Sequence, residues 1–534
     1  MGSLSVKKVS VGEMKGWMRE EVIALLPTTF FEDPFSFIRK MGGEMVKTSR
    51  IRWAAIITLS NGQRVFLKSD RTKDWVESIK YLFLPSKGRK EWFVAYRLQK
   101  RNLPIPKPIG WLERLHGGFV KESYYLSEAI GSGNTLIEVP NPPVPDMAKM
   151  VKKVHLSGLL HEDLHAGNFL WDGESIFLVD LHNAKILKAL SLNQRLWNLS
   201  LLFHSLRSVW GEREQSLFVD VYFEGEPLHL RRKEELLQRI RFHMDRLRKK
   251  QWRSRTRRCL KESSEFSVIK SKGIRCYHRR DFSLDKAKKL IEEHLMLVNE
   301  NPWALVKNAP EVSVSLLENE GKKVCVKQIR NLNFWRTFKD HFRRPKGLKA
   351  WVASNGLRAR AISSLKALAL VEKRSLWGLR ESFFLMESSE TGLEMDRYIL
   401  ERLMDREKKR LFTSAFAQWL SDLHQKGVFH QDMKTCNILI SENGGGWKFH
   451  LLDQEDISLD EKVSSAKLFK TFLQLNTSTP KMITTTDRFR FFGSYLTLNP
   501  VVKDRKSFLR RLIGESKRRE LVYVAPWGVV TEKL

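Results

Sequence analysis

The sequence carries one arrangement of His, Asp and Asn twice. The first copy runs from His161 to Asp180 as His-Glu-Asp-Leu-His-Ala-Gly-Asn-Phe-Leu-Trp-Asp-Gly-Glu-Ser-Ile-Phe-Leu-Val-Asp, and the second from His430 to Asp453. Each starts His-x-Asp, places an Asn five residues after that Asp, and passes through a turn and an apolar strand to a second Asp. These residue types at this spacing suit phosphoryl transfer from ATP. One carboxylate receives or orients the acceptor hydroxyl proton, while a side-chain amide and a second carboxylate hold Mg²⁺ against the phosphates. Asp163 and Asp432 fit the first role. Asn168 with Asp180, and Asn437 with Asp453, fit the second.

The spacing has a physical reason. Asp172-Gly173 is a tight-turn signal between Asn168-Phe-Leu-Trp171 and Ile176-Phe-Leu-Val179. Closing that hairpin brings Asn168 and Asp180 to the same end of a two-stranded ladder. Two oxygen ligands on adjacent strands suit a hard cation that keeps some of its waters. In the second copy Asn443-Gly444-Gly445-Gly446 makes the turn and Trp447 to Leu452 the return strand. A polar loop that merely contains His, Asp and Asn is the bland alternative for one copy. Two copies in the same internal order argue against it.

The elements that must position these groups precede them. Ile51–Leu59 and Val65–Lys68 read as strands joined around Ser60-Asn61-Gly62-Gln63. Lys68 ends the apolar strand Val-Phe-Leu-Lys, where kinases keep a lysine that pairs the nucleotide phosphates with a helix glutamate. Taken alone, a strand lysine is more often an exposed edge charge. Residues 86–100 read as a helix with Ser86 as N-cap and Pro104 beyond its end. Glu91, in its first turns, is the candidate partner for Lys68. Pro104-Ile-Pro-Lys-Pro108 is a stiff, extended connection. Tyr124 to Ile130 reads as the last strand of a small lobe and the hinge after it. Met147, Met150, Val151 and Val154 lie at helical spacing as a core stripe that delivers the chain to His161. Two features depart from the usual kinase pattern. No Gly-x-Gly-x-x-Gly precedes Lys68, Gly42-Gly43 being the nearest substitute, and Asp180 is followed by Leu-His-Asn instead of Phe-Gly.

The repeat extends beyond the active loops. Lys68 plus 259 is Lys327, which ends Val-Cys-Val-Lys, and Lys87-Gly-x-Lys-x-Trp92 recurs as Lys346-Gly-x-Lys-x-Trp351. The offset then becomes 269, matching His155-x-x-Gly158 to His424-x-x-Gly427. Such a long period signals duplication of a whole bilobal unit, not a solenoid. In the second copy the position of Glu91 falls on Ala350. Lys327 is therefore expected to lack its local partner, with Glu372 as the fallback, and the second half to be the weaker catalyst. Lys434 stands where many protein kinases place a lysine near the transferred phosphate, while the first copy has His165 there. His155 and His424 read as buried structural histidines, and His161 and His430 as braces of the loop.

Length and composition bound the rest. The chain has 534 residues, 42% hydrophobic and 10% aromatic, the composition of globular protein. The four cysteines, Cys259, Cys276, Cys325 and Cys436, show no metal or disulfide spacing and fit a reducing cytoplasm. Met1 to Leu26 does not read as a signal peptide, and no apolar run approaches the roughly 18 residues of a membrane span. The net charge of +33 predicts an anionic partner: nucleic acid, an acidic membrane face or a phosphorylated glycolipid. Between Arg231 and Arg258 there are 13 Lys or Arg against 3 Asp or Glu. Leu237, Ile240, Met244 and Leu247 form an apolar stripe there, so the stretch reads as a helix with one buried stripe and a basic outer face.

At these residues the chain resembles the lipopolysaccharide core kinase family, the Kdo and heptose kinases. Ser86-Lys-Gly-Arg-Lys-Glu-Trp92, Leu103-Pro-Ile-Pro-Lys-Pro108, His161-Glu-Asp-Leu-His-Ala-Gly-Asn168 and Leu178-Val-Asp-Leu181 carry the resemblance. It covers most of residues 40–215 and, more loosely, 310–460. It implies an α+β chain of two tandem bilobal protein-kinase-like domains, each with a small β-rich N-lobe and a mostly helical C-lobe. The first is expected over residues 1–260 with the basic helix at its end, the second over 265–534. It also implies a cytoplasmic enzyme, peripheral on the inner membrane, using ATP and Mg²⁺ to phosphorylate a sugar hydroxyl on a lipopolysaccharide core or lipid-linked acceptor. Lys68, Glu91 and Lys327 would hold the nucleotide. The basic surface suits that acceptor and an anionic membrane, and the family reading disfavours nucleic acid. A protein kinase and a pseudokinase-type binding protein are the alternatives. Lys434 supports the former, and Ala350 leaves the latter open for the second half.

Overall fold

The structure, a computed structural model, describes residues 5–131, 134–139, 141–226, 229–332, 344–375, 378–389 and 391–533. It divides into two compact units, Met1–Arg248 and Lys249–Leu534.

The first unit opens with seven antiparallel strands: β1 Val6–Val11, β2 Met14–Arg19, β3 Glu44–Thr48, β4 Arg52–Thr58, β5 Arg64–Arg71, β6 Pro108–His116 and β7 Phe119–Glu128. Their order across the sheet is β1-β2-β6-β7-β5-β4-β3. β5 carries Lys68, which stands opposite Ala54 on β4 and Tyr125 on β7. One face of the sheet closes over Met14, Met18, Leu67, Ile109 and Leu126 with Phe30, Phe31 and Ile38 from the short helices between β2 and β3. The other face receives the Lys87–Gln99 helix, capped by Ser86 as its sequence predicts. Gly88 permits the approach, since a Cβ there would come within 2.5 Å of the Tyr124 carbonyl oxygen. Gly42 and Gly43 end the Pro34–Lys40 helix instead of joining two strands, so they do not replace a glycine-rich phosphate loop; the β3–β4 turn is Ser49-Arg50-Ile51.

Helices Val144–Leu156, Leu192–Leu206 and Glu212–Phe223 build the second lobe around Met147, Val151, Leu199, Phe203 and Phe218. The expected basic helix exists as His229–Arg257. Leu236, Leu237 and Ile240 are buried in this lobe's core and Met244 packs against it. Its closing role needs correction, because from Lys249 onward the helix belongs to the second unit. There Trp252 lies under the Arg360 guanidinium at 5.2 Å and Thr256 accepts from that group at 3.4 Å.

The second unit repeats the plan. Its seven-stranded sheet runs, in spatial order, Phe266–Ser271, Ile274–Arg279, Ala367–Ser375, Gly378–Glu387, Lys322–Arg330, Val312–Asn319 and Lys307–Ala309. Strand for strand, this is the order of the first sheet. Lys346–Ala359 is the counterpart of the Lys87–Gln99 helix, and helices Arg406–Gln425, Ser465–Asn476, Thr485–Leu498 and Arg505–Lys517 form the second lobe. Each unit thus has a β-rich lobe followed by a mostly helical one, an α+β fold of the protein-kinase type. Among the described residues no helix is long and apolar enough to cross a membrane.

Candidate active site

In the first unit the two apolar runs pair as predicted. Phe169–Trp171 and Ile176–Leu178 form an antiparallel hairpin, and the Val179 amide donates to the Asn168 carbonyl at 2.9 Å. This sets Asn168 and Asp180 at one end of the ladder. Asp180 adopts left-handed backbone, φ 62°, ψ 48°. Asp tolerates this region better than most residues, and the turn redirects the chain immediately after the strand. Asp453 does the same, φ 43°, ψ 55°.

Three strongly interacting groups meet there. Lys68 Nζ donates to Glu91 Oε2 at 3.0 Å and also pairs with Asp180 Oδ1. Lys68 is 7% exposed and Glu91 3% exposed, so this is a buried network and not an exposed edge charge. Burial alone would lower the Lys68 pKa, but the Glu91 and Asp180 carboxylates outweigh it and raise it. Burial dominates at Glu91 and pushes its pKa up. At Asp180 burial is overcome by the His182 hydrogen bond and by Lys68, which hold the carboxyl below its usual range. Glu91 Oε1 also accepts from the Leu181 amide at 3.2 Å, joining helix, lysine strand and metal loop. Glu91, Asp180 and His182 lie close enough to share an ion, but Lys68 already occupies both carboxylates.

The candidate catalytic loop is held by its histidine. His161 Nδ1 accepts from the Asp163 amide at 3.2 Å, so Nε2 carries the proton it donates to the Asp180 carbonyl at 3.1 Å. Burial pushes His161 down to about 4 and His155 to about 3. Both are neutral at physiological pH and brace structure, His155 through Tyr222 and Asn198. Asn168 Nδ2 donates to the Asp163 carbonyl at 2.8 Å, which leaves its Oδ1 for a cation. The Asp163 side chain is 60% exposed, with His165 3.9 Å away.

The second unit reproduces this frame with one rewiring. His430 joins the Asp432 amide to the Leu452 carbonyl, and Asn437 donates to the Asp432 carbonyl at 2.8 Å. Lys327 pairs with Asp453 Oδ1 at 2.8 Å and Glu455 Oε1 at 2.6 Å. The expectation that Ala350 leaves Lys327 without a local partner is therefore wrong, and so is the fallback. Glu372 is fully buried and paired with Arg374. Ala350 is buried in a cluster with Trp351 and Phe384, and the missing carboxylate is supplied two residues after the metal aspartate, where the first unit has His182. Despite burial, these two carboxylates raise the Lys327 pKa. Motif reading missed Glu455 because it looked along the helix; Asp-x-His against Asp-x-Glu was the available signal. Asp432 is also more firmly held than Asp163. Gln474 donates to its Oδ1 at 3.1 Å, Asn437 to its Oδ2 at 3.3 Å, and Lys434 pairs with it at 3.1 Å. His424 matches His155 in role, hydrogen-bonded to Tyr495 and pushed down to about 4 by burial.

Residues 317–491, within the second unit, match the model of the Lipopolysaccharide kinase (Kdo/WaaP) family. Part of the chain is thus similar to the lipopolysaccharide kinases. A 3-deoxy-D-manno-octulosonic acid kinase of Stenotrophomonas maltophilia is 25% identical over 33% of this chain and 67% of its own length. The Xanthomonas campestris kinase of the same name is 30% identical over 27% of this chain and 59% of its own length. The lipopolysaccharide core heptose(I) kinase WaaP of Pseudomonas aeruginosa is 26% identical over 36% of this chain and 81% of its own. The matches thus span about three fifths to four fifths of these relatives. Among solved structures, WaaP in complex with acyl carrier protein aligns with 40% of this chain and 87% of its own, at 18% identity and a TM-score of 0.31.

Proposed function

We propose that the chain is an ATP-dependent phosphotransferase that phosphorylates a sugar hydroxyl, on Kdo or heptose, of the lipopolysaccharide inner core. It works at the cytoplasmic face of the inner membrane, as a peripheral protein drawn by its net charge of +33. The observation that carries the reading is the buried lysine bridged to the metal-loop aspartate in both units, Lys68 to Asp180 and Lys327 to Asp453, each beside a hydrogen-bonded His-x-Asp loop. The kinship with Kdo and heptose kinases supports the acceptor class.

In this mechanism Lys68 and Lys327 orient the nucleotide phosphates. Asp163 and Asp432 orient the acceptor hydroxyl and take its proton. The oxygen donors Asn168 with Asp180, and Asn437 with Asp453, fit a hard cation, because each Asn amide nitrogen is already engaged by its loop. Bound there, Mg²⁺ supplies charge neutralisation of the phosphates. Glu91 and Glu455 keep each lysine in place between turnovers. Most of the protein's contribution to phosphoryl transfer is such positioning.

The test is transfer of labelled phosphate from ATP to purified core lipopolysaccharide, with a protein acceptor in parallel. Mass spectrometry of core oligosaccharide from a deletion strain then locates the sugar. Transfer to protein but not to lipopolysaccharide would overturn the acceptor class.

A further inference from the structure

The Trp75–Phe83 helix, which follows the lysine strand β5, wears its apolar face outward. Trp75 is 73% exposed, Val76 57%, Ile79 40%, Leu82 54% and Phe83 83%. Positions 75, 76, 79, 82 and 83 share one side of a helix, the stripe that a water-soluble helix ordinarily buries. The polar side is the one that faces the protein. Ser78 is buried, Tyr81 donates to Glu77 at 2.9 Å, and Lys87 pairs with Glu77 at 3.2 Å. Asp74 caps the first turn by accepting from the Glu77 amide at 2.9 Å. The helix is therefore capped and anchored, and its exposed apolar stripe is a built surface, not a frayed end. Leu84 extends the stripe, and Lys73 just before the helix and Lys80 on it stand exposed.

The repeat supplies an independent observation. At the offset of 259 that relates Lys68 to Lys327, Trp75, Val76, Ile79 and Phe83 correspond to Phe334, Trp335, Phe338 and Phe342, and Lys80 to Lys339. Residues 333–343 lie outside the described residues, so this rests on sequence alone. The aromatic and basic pattern is nevertheless present in both halves at the same place relative to the nucleotide lysine, although the flanking helices differ at Glu91 and Ala350.

We propose that the Trp75–Phe83 helix docks into the interface of a bilayer bearing anionic headgroups. Its apolar stripe enters the outer acyl region, while Lys73 and Lys80 meet headgroup phosphates. An aromatic and aliphatic face edged with lysine is the chemistry of an interfacial helix. A second copy of this chain fits poorly, because it would set the same basic rim against itself. The inference gives the membrane part of the proposed function a defined surface and rests on that reading for the kind of lipid. It places the anchor directly after the lysine strand in the chain.

The experiment is flotation of the full chain with vesicles of phosphatidylcholine, with and without phosphatidylglycerol. The wild type is compared with Trp75→Ser/Phe83→Ser and with Trp303→Ser, a control at a 93% exposed tryptophan elsewhere. The double variant is expected to bind anionic vesicles at least about tenfold more weakly, equivalent to about 1.4 kcal/mol. The control, the sedimentation mass and ATP turnover in solution should stay unchanged. Flotation of the double variant equal to wild type overturns the proposal. So does a drop in sedimentation mass, which would make the stripe a contact between copies. If the wild type floats through this helix but transfers no phosphate to lipopolysaccharide, the acceptor reading fails and the anchor stands.

Discussion

The two candidate nucleotide sites solve one electrostatic problem with different residues. In the first unit the carboxylate beside the lysine comes from a helix, Glu91; in the second it comes from the metal loop, Glu455. Both place negative charge within hydrogen-bond reach of a lysine that burial would otherwise discharge. The difference is mechanical. Glu91 ties the helix to β5 and to the Leu181 amide, so the first site depends on where that helix sits. Glu455 and Asp453 share one short segment, so the second lysine is tied to the metal loop alone, and the apolar Ala350 can pack into the sheet. What is kept between the copies is the charge at a place in space, not the residue at a place in the sequence. The premise for ranking the second site as weaker accordingly falls away, and Asp432 is better held than Asp163.

The largest expected effect removes both proposed catalytic aspartates. Asp163→Asn/Asp432→Asn should lower phosphate transfer by about 10²–10⁴, the usual worth of a positioned general base. Each single variant should leave the other unit's share. If one single variant equals the double, only that unit turns over, and the comparison reduces to one working site and one copy.

Next is the holding carboxylate. Glu91→Ala and Glu455→Ala should each weaken their own site by about 10²-fold, because a misplaced orienting group costs about that much. This is best read in backgrounds where the other unit carries its Asp→Asn substitution. A Glu455→Ala enzyme with full turnover there would show that Asp453 alone holds Lys327.

A transplant sharpens the point. Ala350→Glu/Glu455→His should restore part of the activity lost in Glu455→Ala, to within about tenfold of the parent, if position in space is what matters. Steady-state kinetics would show it. No rescue, with the fold intact by circular dichroism, would mean that the packing around Ala350 has specialised.

The smallest effect is on stability against pH. His155 at about 3, and His161 and His424 at about 4, are held below the unfolded value of 6.5 by burial. The unfolded chain then binds more protons than the folded one between those values, so stability is full above about pH 6.5 and falls as pH drops toward 4. Thermal melts across that range should show the loss. His155→Asn and His424→Asn should each flatten the profile, because burial holds both groups below the unfolded value. Equal profiles for wild type and both variants would show that other groups set the acid limit.

Much of this was legible from residue types and spacing. His-x-Asp, the Asn five residues on and the strand to a second Asp define a hairpin, and a hairpin fixes which residues share an end whatever surrounds it. Ser86 as an N-cap and the Met147–Val154 stripe were equally local. The source of the carboxylate beside Lys327 was not legible, because Glu455 is 128 residues from that lysine and they meet only when the lobes of the second unit come together. The allegiance of the basic helix was hidden for the same reason: Trp252 and Thr256 are assigned by their contacts with Arg360.

By itself the sequence determined the duplication, the class of chemistry and the loops that carry it, since these rest on short-range geometry and repeated residue types. Tertiary structure alone decided which carboxylate faces each lysine and which side of the Trp75–Phe83 helix is left in water. Both depend on distances across the fold. Burial strengthens an ion pair only between groups that packing has brought together, and a helix shows which side is buried only once its neighbours are in place.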